Sequence, residues 1–248
     1  MKLAFSGGLF VAASVLSIGV QAAPISPGQT LTSVTVSGQA SIYDVFGHPG
    51  DPGGDYGPDA PAVLTTFAAG AGNVFTFRAT GLVSCCSDTP NIPPDGSGGA
   101  MNVTGANGLS GLIGTQHIPL VGVFTTNVDP SGTAPPATLT FDASNPTSLA
   151  PLLNQVFYIG DGLSGYTNAA GAPLTFTAPG SATRLYLGVI DAFGFGGQTG
   201  YYNDNLGAFS VDITLQSTAP VPEPSDLALM LAGLAFVSTV CRRRARSH

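Results

Sequence analysis

The sequence has no tryptophan, only three cysteines and only seven basic residues. Five of those seven, Lys2, Arg242, Arg243, Arg244 and Arg246, lie at the ends of the chain. Between Ala23 and Pro220 there is no lysine and no glutamate, and Arg78 and Arg184 face twelve aspartates, a formal charge of −10. Such a body repels phosphate backbones and anionic headgroups, which argues against nucleic-acid binding and peripheral membrane attachment. It attracts cations instead. The shortage of nucleophile and base combinations is equally informative. The body holds only His48 and His117, no Gly-x-Ser-x-Gly elbow and no glutamate, so nothing marks a hydrolase and no catalytic residue is assigned. Cysteine is too scarce for a four-ligand zinc site or a Cys-x-x-Cys redox motif.

What is present is hydrophobic residue in short alternating runs, 44% of the chain, punctuated by 34 glycines and 20 prolines. Runs bounded by turn residues occur at 31–40, 74–83, 118–124, 137–141, 156–159, 174–178, 184–190 and 209–215. No body segment keeps a helical period over a dozen residues, although 148–155 suits a short helical turn. The expectation is an all-β fold: a single β-sandwich, jelly-roll or lectin-like, with long Gly/Pro-rich loops at 47–61 and 89–99.

Both ends read as targeting segments. Lys2 precedes an apolar run over 3–20, and Val20-Gln21-Ala22 offers the small residues of a signal-peptidase site, giving a signal peptide at 1–22 and a body at 23–220. At the other end Val221-Pro222-Glu223-Pro224 precedes an apolar stretch over 227–241 and then Arg242-Arg243-Arg244. As a helix that stretch spans roughly 22 Å, enough to hold a tail in a bilayer, with the arginines on the cytoplasmic side. The prolines keep the segment outside the bilayer extended. Residues 221–248 resemble the PEP-CTERM sorting signal of Gram-negative bacteria. The resemblance implies an exosortase as partner, a transient anchor through a short hydrophobic helix, a final location on the cell surface or outside the cell, and association with extracellular polysaccharide.

The segment richest in chemistry runs from Leu185 to Leu215. A strand-like run ends at Asp191, a Gly-rich loop carries Phe193 and Phe195, and Tyr201-Tyr202-Asn203-Asp204-Asn205 leads into the last run. Carboxylates, amides and backbone carbonyls on one loop are the ligands a hard cation such as calcium takes, six to eight at a time. They are equally the residues of an ordinary turn. Asp191, Asp204, Asn205, Gly207, Phe209 and Val211 resemble the calcium-dependent galactophilic lectins of bacteria. The likeness extends upstream through 74–85, Pro94-Asp95-Gly96 and 108–114. It implies Ca2+ held by Asp191, Asp204 and Asn205 with the carbonyls of Tyr201 and Cys85. The loop at 194–200 is longer than the family's, and its sugar-contacting His and Gln have no counterpart between Asp95 and Gly108. Tyr202, Phe193 and Phe195 are candidates for stacking on a sugar ring or, equally, for anchoring the loop. Adjacent Cys85 and Cys86 allow either a vicinal disulfide or two free thiols. Asp51, Asp55 and Asp59 offer a second cation loop or a merely solvated one.

Overall fold

The computed structural model describes residues 21–50, 59–86, 88–142, 144, 146–166, 171–216 and 230. The signal peptide up to residue 20, the 221–224 motif, the apolar tail with its arginines, and Asp51 and Asp55 lie outside them. Among the described residues no helix is long and apolar enough to cross a membrane.

The fold is nearly all β. In chain order the strands are β1 (Gln29–Ser37), β2 (Ala40–Ser41), β3 (Ala60–Pro61), β4 (Val63–Thr66), β5 (Val74–Ser84), β6 (Ser97–Val103), β7 (Leu112–His117), β8 (Leu120–Thr125), β9 (Leu139–Phe141), β10 (Ser148–Leu149), β11 (Val156–Tyr158), β12 (Thr175–Thr177), β13 (Arg184–Val189), β14 (Gly196–Gly197) and β15 (Leu206–Gln216). One sheet runs β1-β15-β5-β12-β10, a second β11-β8-β13-β2-β3 with β4 also on β13, and a third β14-β6-β7-β9.

The alternation in the sequence places the first two sheets face to face. In β15, Phe209, Val211, Ile213 and Leu215 are buried while Ser210, Asp212 and Thr214 point away, as a period of two demands. Their partners across the antiparallel ladder include Ala79, Phe77 and Phe75, also buried. From the second sheet Phe124 reaches Phe75 and Phe157 reaches Phe176, with ring centroids 5.3 and 5.0 Å apart. Removing any of these rings would leave a cavity costing about 3–5 kcal/mol. Strand β8, paired with β11 on one side and β13 on the other, is buried at every residue, and the third sheet adds Met101, Val103, Leu112 and Phe141 to the same core. Phe141 stacks on Tyr158 of β11 at 4.4 Å.

Every run expected as a strand contains one. Residues 148–155 differ: Ser148–Leu149 pairs in parallel with β12 instead of starting a helical turn. Pro151 explains this, since it disfavours helical backbone at the residue before it. The third sheet was not expected, and it lends the molecule a layer beyond the two that eight alternating runs imply.

Candidate functional site

The chain crosses from the second sheet to the first between Val189 and Leu206, and the crossing gathers the polar residues at one end of both sheets. Strand β13 delivers Asp191 at its exit, β5 delivers Cys85, and a short 3-10 turn over Tyr202–Asp204 sets up the entry to β15. The loop is not loose. Thr104 N–H and Oγ1 both donate to Gly197 O, at 2.7 and 2.9 Å, and β14 pairs with Asn102 and Val103 of β6. Gly207 sits at φ +81, where an added Cβ would lie 2.3 Å from Leu82 O, so the bend that opens β15 requires glycine.

Asp191 is 3% exposed. Its Oδ1 accepts the Ala192 N–H at 2.7 Å and its Oδ2 accepts Asn205 Nδ2 at 3.1 Å. Burial pushes the Asp191 carboxyl up to about 7, and the Asp204 carboxylate adds to that, while the bonds from Asn205 and Ala192 pull the other way. Asn205 is 1% exposed. Its Nδ2 also donates to Gly38 O at 3.0 Å, but its Oδ1 is buried without any hydrogen-bond partner. A buried amide oxygen left unpaired costs about 1–3 kcal/mol, and Asn203 Oδ1, two residues back in the same turn, is also buried without a partner.

Above this pair opens a cavity of about 390 Å³, lined by Cys85, Asp191, Asp204, Phe193, Phe195 and Tyr201 among others. The structure thus brings seven of the expected site residues, Cys86 included, to one cavity, with Asn205 buried next to Asp191. Among the described residues no three His, Cys, Asp or Glu side chains group so as to hold a metal. A cation here would rest on the two carboxylates, the Asn205 amide oxygen and backbone carbonyls. Those donors fit calcium in type and are too hard and too few in nitrogen or sulfur for zinc or copper. The Cys85 carbonyl already accepts the Asp88 N–H at 3.2 Å, leaving one lone pair for a second partner.

One stacking candidate is corrected, and a second keeps a single face. Tyr202 is 1% exposed and cannot meet a ligand. Its hydroxyl accepts the Asp191 N–H at 3.1 Å and shares a hydrogen bond with Thr199 Oγ1 at 2.6 Å, so the ring is a pillar beneath Asp191. Burial drives its phenol well above the usual range. Phe195 lies on the His117 imidazole, centroids 3.7 Å apart and planes within 12°, and one face is thereby taken. His117 Nε2 is fixed in turn 3.0 Å from Ala100 O. Phe193, 75% exposed, Tyr201, 5.4 Å from it, and the other face of Phe195 remain as the available rings. Cys85 and Cys86 carry free thiols in this structure. Cys85 is pushed up to about 12, by burial first and then by the neighbouring Cys86 thiol.

Sequence reasoning missed Gly38, whose carbonyl holds Asn205 from a sequence distance of 167 residues, and the Thr199 and Tyr202 support. Only the alternation of Tyr201 with Tyr202 at the start of a buried run hinted that one of the two rings points inward. Compared with protein-family models, with curated proteins and with solved structures, the chain matches none, so the two resemblances stand on the residues quoted for them alone.

Proposed function

We propose that the chain is an exported β-sandwich of the lectin-like kind, whose cavity beside Asp191 and Asn205 takes calcium and, over it, a carbohydrate of the extracellular matrix. The observation that carries the reading is the Asn205 Oδ1, buried and unpaired next to a buried carboxylate. A cation would satisfy that oxygen and restore the ionised form of Asp191, which burial disfavours. Asp204 would supply the second carboxylate from the cavity wall. The targeting segments belong to the same reading: signal peptidase removes 1–22, and an exosortase acts at Val221-Pro222-Glu223-Pro224 with the apolar stretch and Arg242 to Arg244 holding the tail in the membrane until then. The body would end on the cell surface or outside the cell.

A second reading is favoured by one finding, the loss of Tyr202 and of one face of Phe195 as stacking surfaces. With Phe193, Tyr201 and the other face of Phe195 left, the protein would be a structural matrix or envelope component in which calcium only stiffens the loop.

Thermal unfolding of the full chain in calcium and in chelator tests both. A ligand at a hundred times its dissociation constant adds about 2.7 kcal/mol, and Asp204→Ala should abolish the increment. No calcium response in the parent chain sinks the cation site. Calcium-dependent retardation in gels containing acidic or neutral polysaccharide supports the first reading, and a calcium response without retardation supports the second.

A further inference from the structure

Cys85 and Cys86 both line the cavity beside Asp191. Two adjacent thiols have no use as a staple, because the unfolded-state entropy a disulfide removes grows with the loop it closes, and here nothing lies between the two residues. They are also placed unlike inert core cysteines: Cys86 is exposed, Cys85 half-buried behind it. Cys86 holds φ +66, a left-handed conformation that a residue with a Cβ adopts at a cost. The strain sits at the turn leaving β5, where Asp88 N–H bonds Cys85 O and Leu206 N–H bonds Ser84 Oγ at 3.3 Å.

We infer that Cys85 and Cys86 form a reversible dithiol–disulfide switch in the wall of the cavity, closed by exchange with an external disulfide. The exposed Cys86 sulfur attacks the external disulfide, breaks its S–S bond and releases one thiol. Cys85 sulfur then attacks the Cys86 sulfur of the mixed disulfide and releases the second. The two hydrogens of the protein thiols end on the two released thiols, the protein is oxidised by two electrons, and the external disulfide is reduced. Closure must move the wall. Adjacent Cα atoms are about 3.8 Å apart across a trans peptide, below the roughly 4.4–6.8 Å of an ordinary disulfide. The backbone of Cys85 and Cys86 therefore has to adjust, and their carbonyl directions change with it. A bond under that strain is readily reduced again, which makes it a switch. The inference does not depend on calcium or on a sugar, since it concerns the shape and redox state of the cavity wall.

The experiment uses the full chain with Cys241→Ser, which removes the tail thiol. The reduced protein is equilibrated with graded ratios of oxidised to reduced glutathione, alkylated and weighed intact. The expected product is monomeric, carries no alkylated cysteine and lacks two hydrogens, and it returns wholly to the dithiol on a roughly tenfold excess of reduced glutathione. Adding Cys86→Ser should leave a single glutathione adduct or none, and no ring. Hydrogen exchange should differ between the two redox forms at 84–92 and at 191–205. Glutathione adducts on both cysteines, disulfide-linked dimers, or thiols that persist at every ratio overturn the switch. Closure with unchanged exchange at both segments overturns its effect on the cavity.

Discussion

Two regions of this protein hold an aspartate pushed up to about 7, chiefly by burial, and they do so in opposite company. Asp191 is surrounded by donors, Ala192 N–H and Asn205 Nδ2, which favour its ionised form against the burial. Asp44, in the loop after β2, is raised further by a second carboxylate, Asp59, and relieved only by His48. His48 is itself held 2.7 Å from Asp129, and its hydrogen bond lowers the Asp129 carboxyl. The first arrangement has an unpaired acceptor and so a place for a positive charge. The second has the half-exposed His48 imidazole close by, which lowers Asp44. Equal acidity therefore arises in different company: hydrogen-bond donors around Asp191, a second carboxylate and an imidazole around Asp44.

The largest expected effect separates the two by pH. Both carboxyls have folded values raised above the unfolded 3.8, so both contribute stability that is fully present below about pH 4 and is lost as pH rises through about 7. Chelator-treated protein should melt lower at pH 7.5 than at pH 5, each tenfold weakening of a carboxylic acid being worth at most about 1.4 kcal/mol. Asp191→Asn should remove part of that slope and Asp44→Asn the rest. Calcium should flatten only the Asp191 part, as melting curves across the range will show.

Asn205→Ala comes next. It strips the donor from Asp191 Oδ2 and Gly38 O, both buried, and should cost about 2–3 kcal/mol in urea unfolding without calcium. Asp204→Ala, on the cavity wall, should cost less than about 0.5 kcal/mol under the same conditions. A similar loss in both would break the distinction between the buried pair and the outer carboxylate. Tyr202→Phe, which removes only the hydroxyl between Thr199 and Asp191 N–H, is expected to cost about 1–2 kcal/mol. The smallest change belongs to the second region: His48→Ala breaks an exposed pair and should shift stability by less than about 1 kcal/mol, while raising the Asp44 titration point measured by NMR.

Much of the fold was legible because its buried strands are rich in Val, Phe, Leu and Ile. Strand β5 was expected at 74–83 and runs Val74–Ser84; β13 was expected at 184–190 and runs Arg184–Val189. The third sheet was hidden for a physical reason. Strand β6 reads Ser-Gly-Gly-Ala-Met-Asn-Val, with only Met101 and Val103 buried, and β7 has Gly114 where the Phe141 ring packs against the backbone. Glycines chosen for close approach look like loop residues in a sequence. At the candidate site, the spacing from Asp191 to Asn205 picked out two residues that the structure joins by a hydrogen bond, since both lie at the ends of recognisable strands. What spacing did not carry is which neighbour of a Tyr-Tyr pair turns inward, or that Gly38 would return from the far end of the body to hold Asn205.

The placement of β15 has a mechanical consequence. It is flanked by β1 on one side and β5 on the other, the latter through eleven paired positions from Leu206 to Gln216. Bonds in an antiparallel ladder lie across the strands. Tension along the chain beyond Gln216 would therefore shear both ladders at once instead of unzipping them pair by pair. A body tethered through its C-terminal side would be gripped at a strand laddered on both sides.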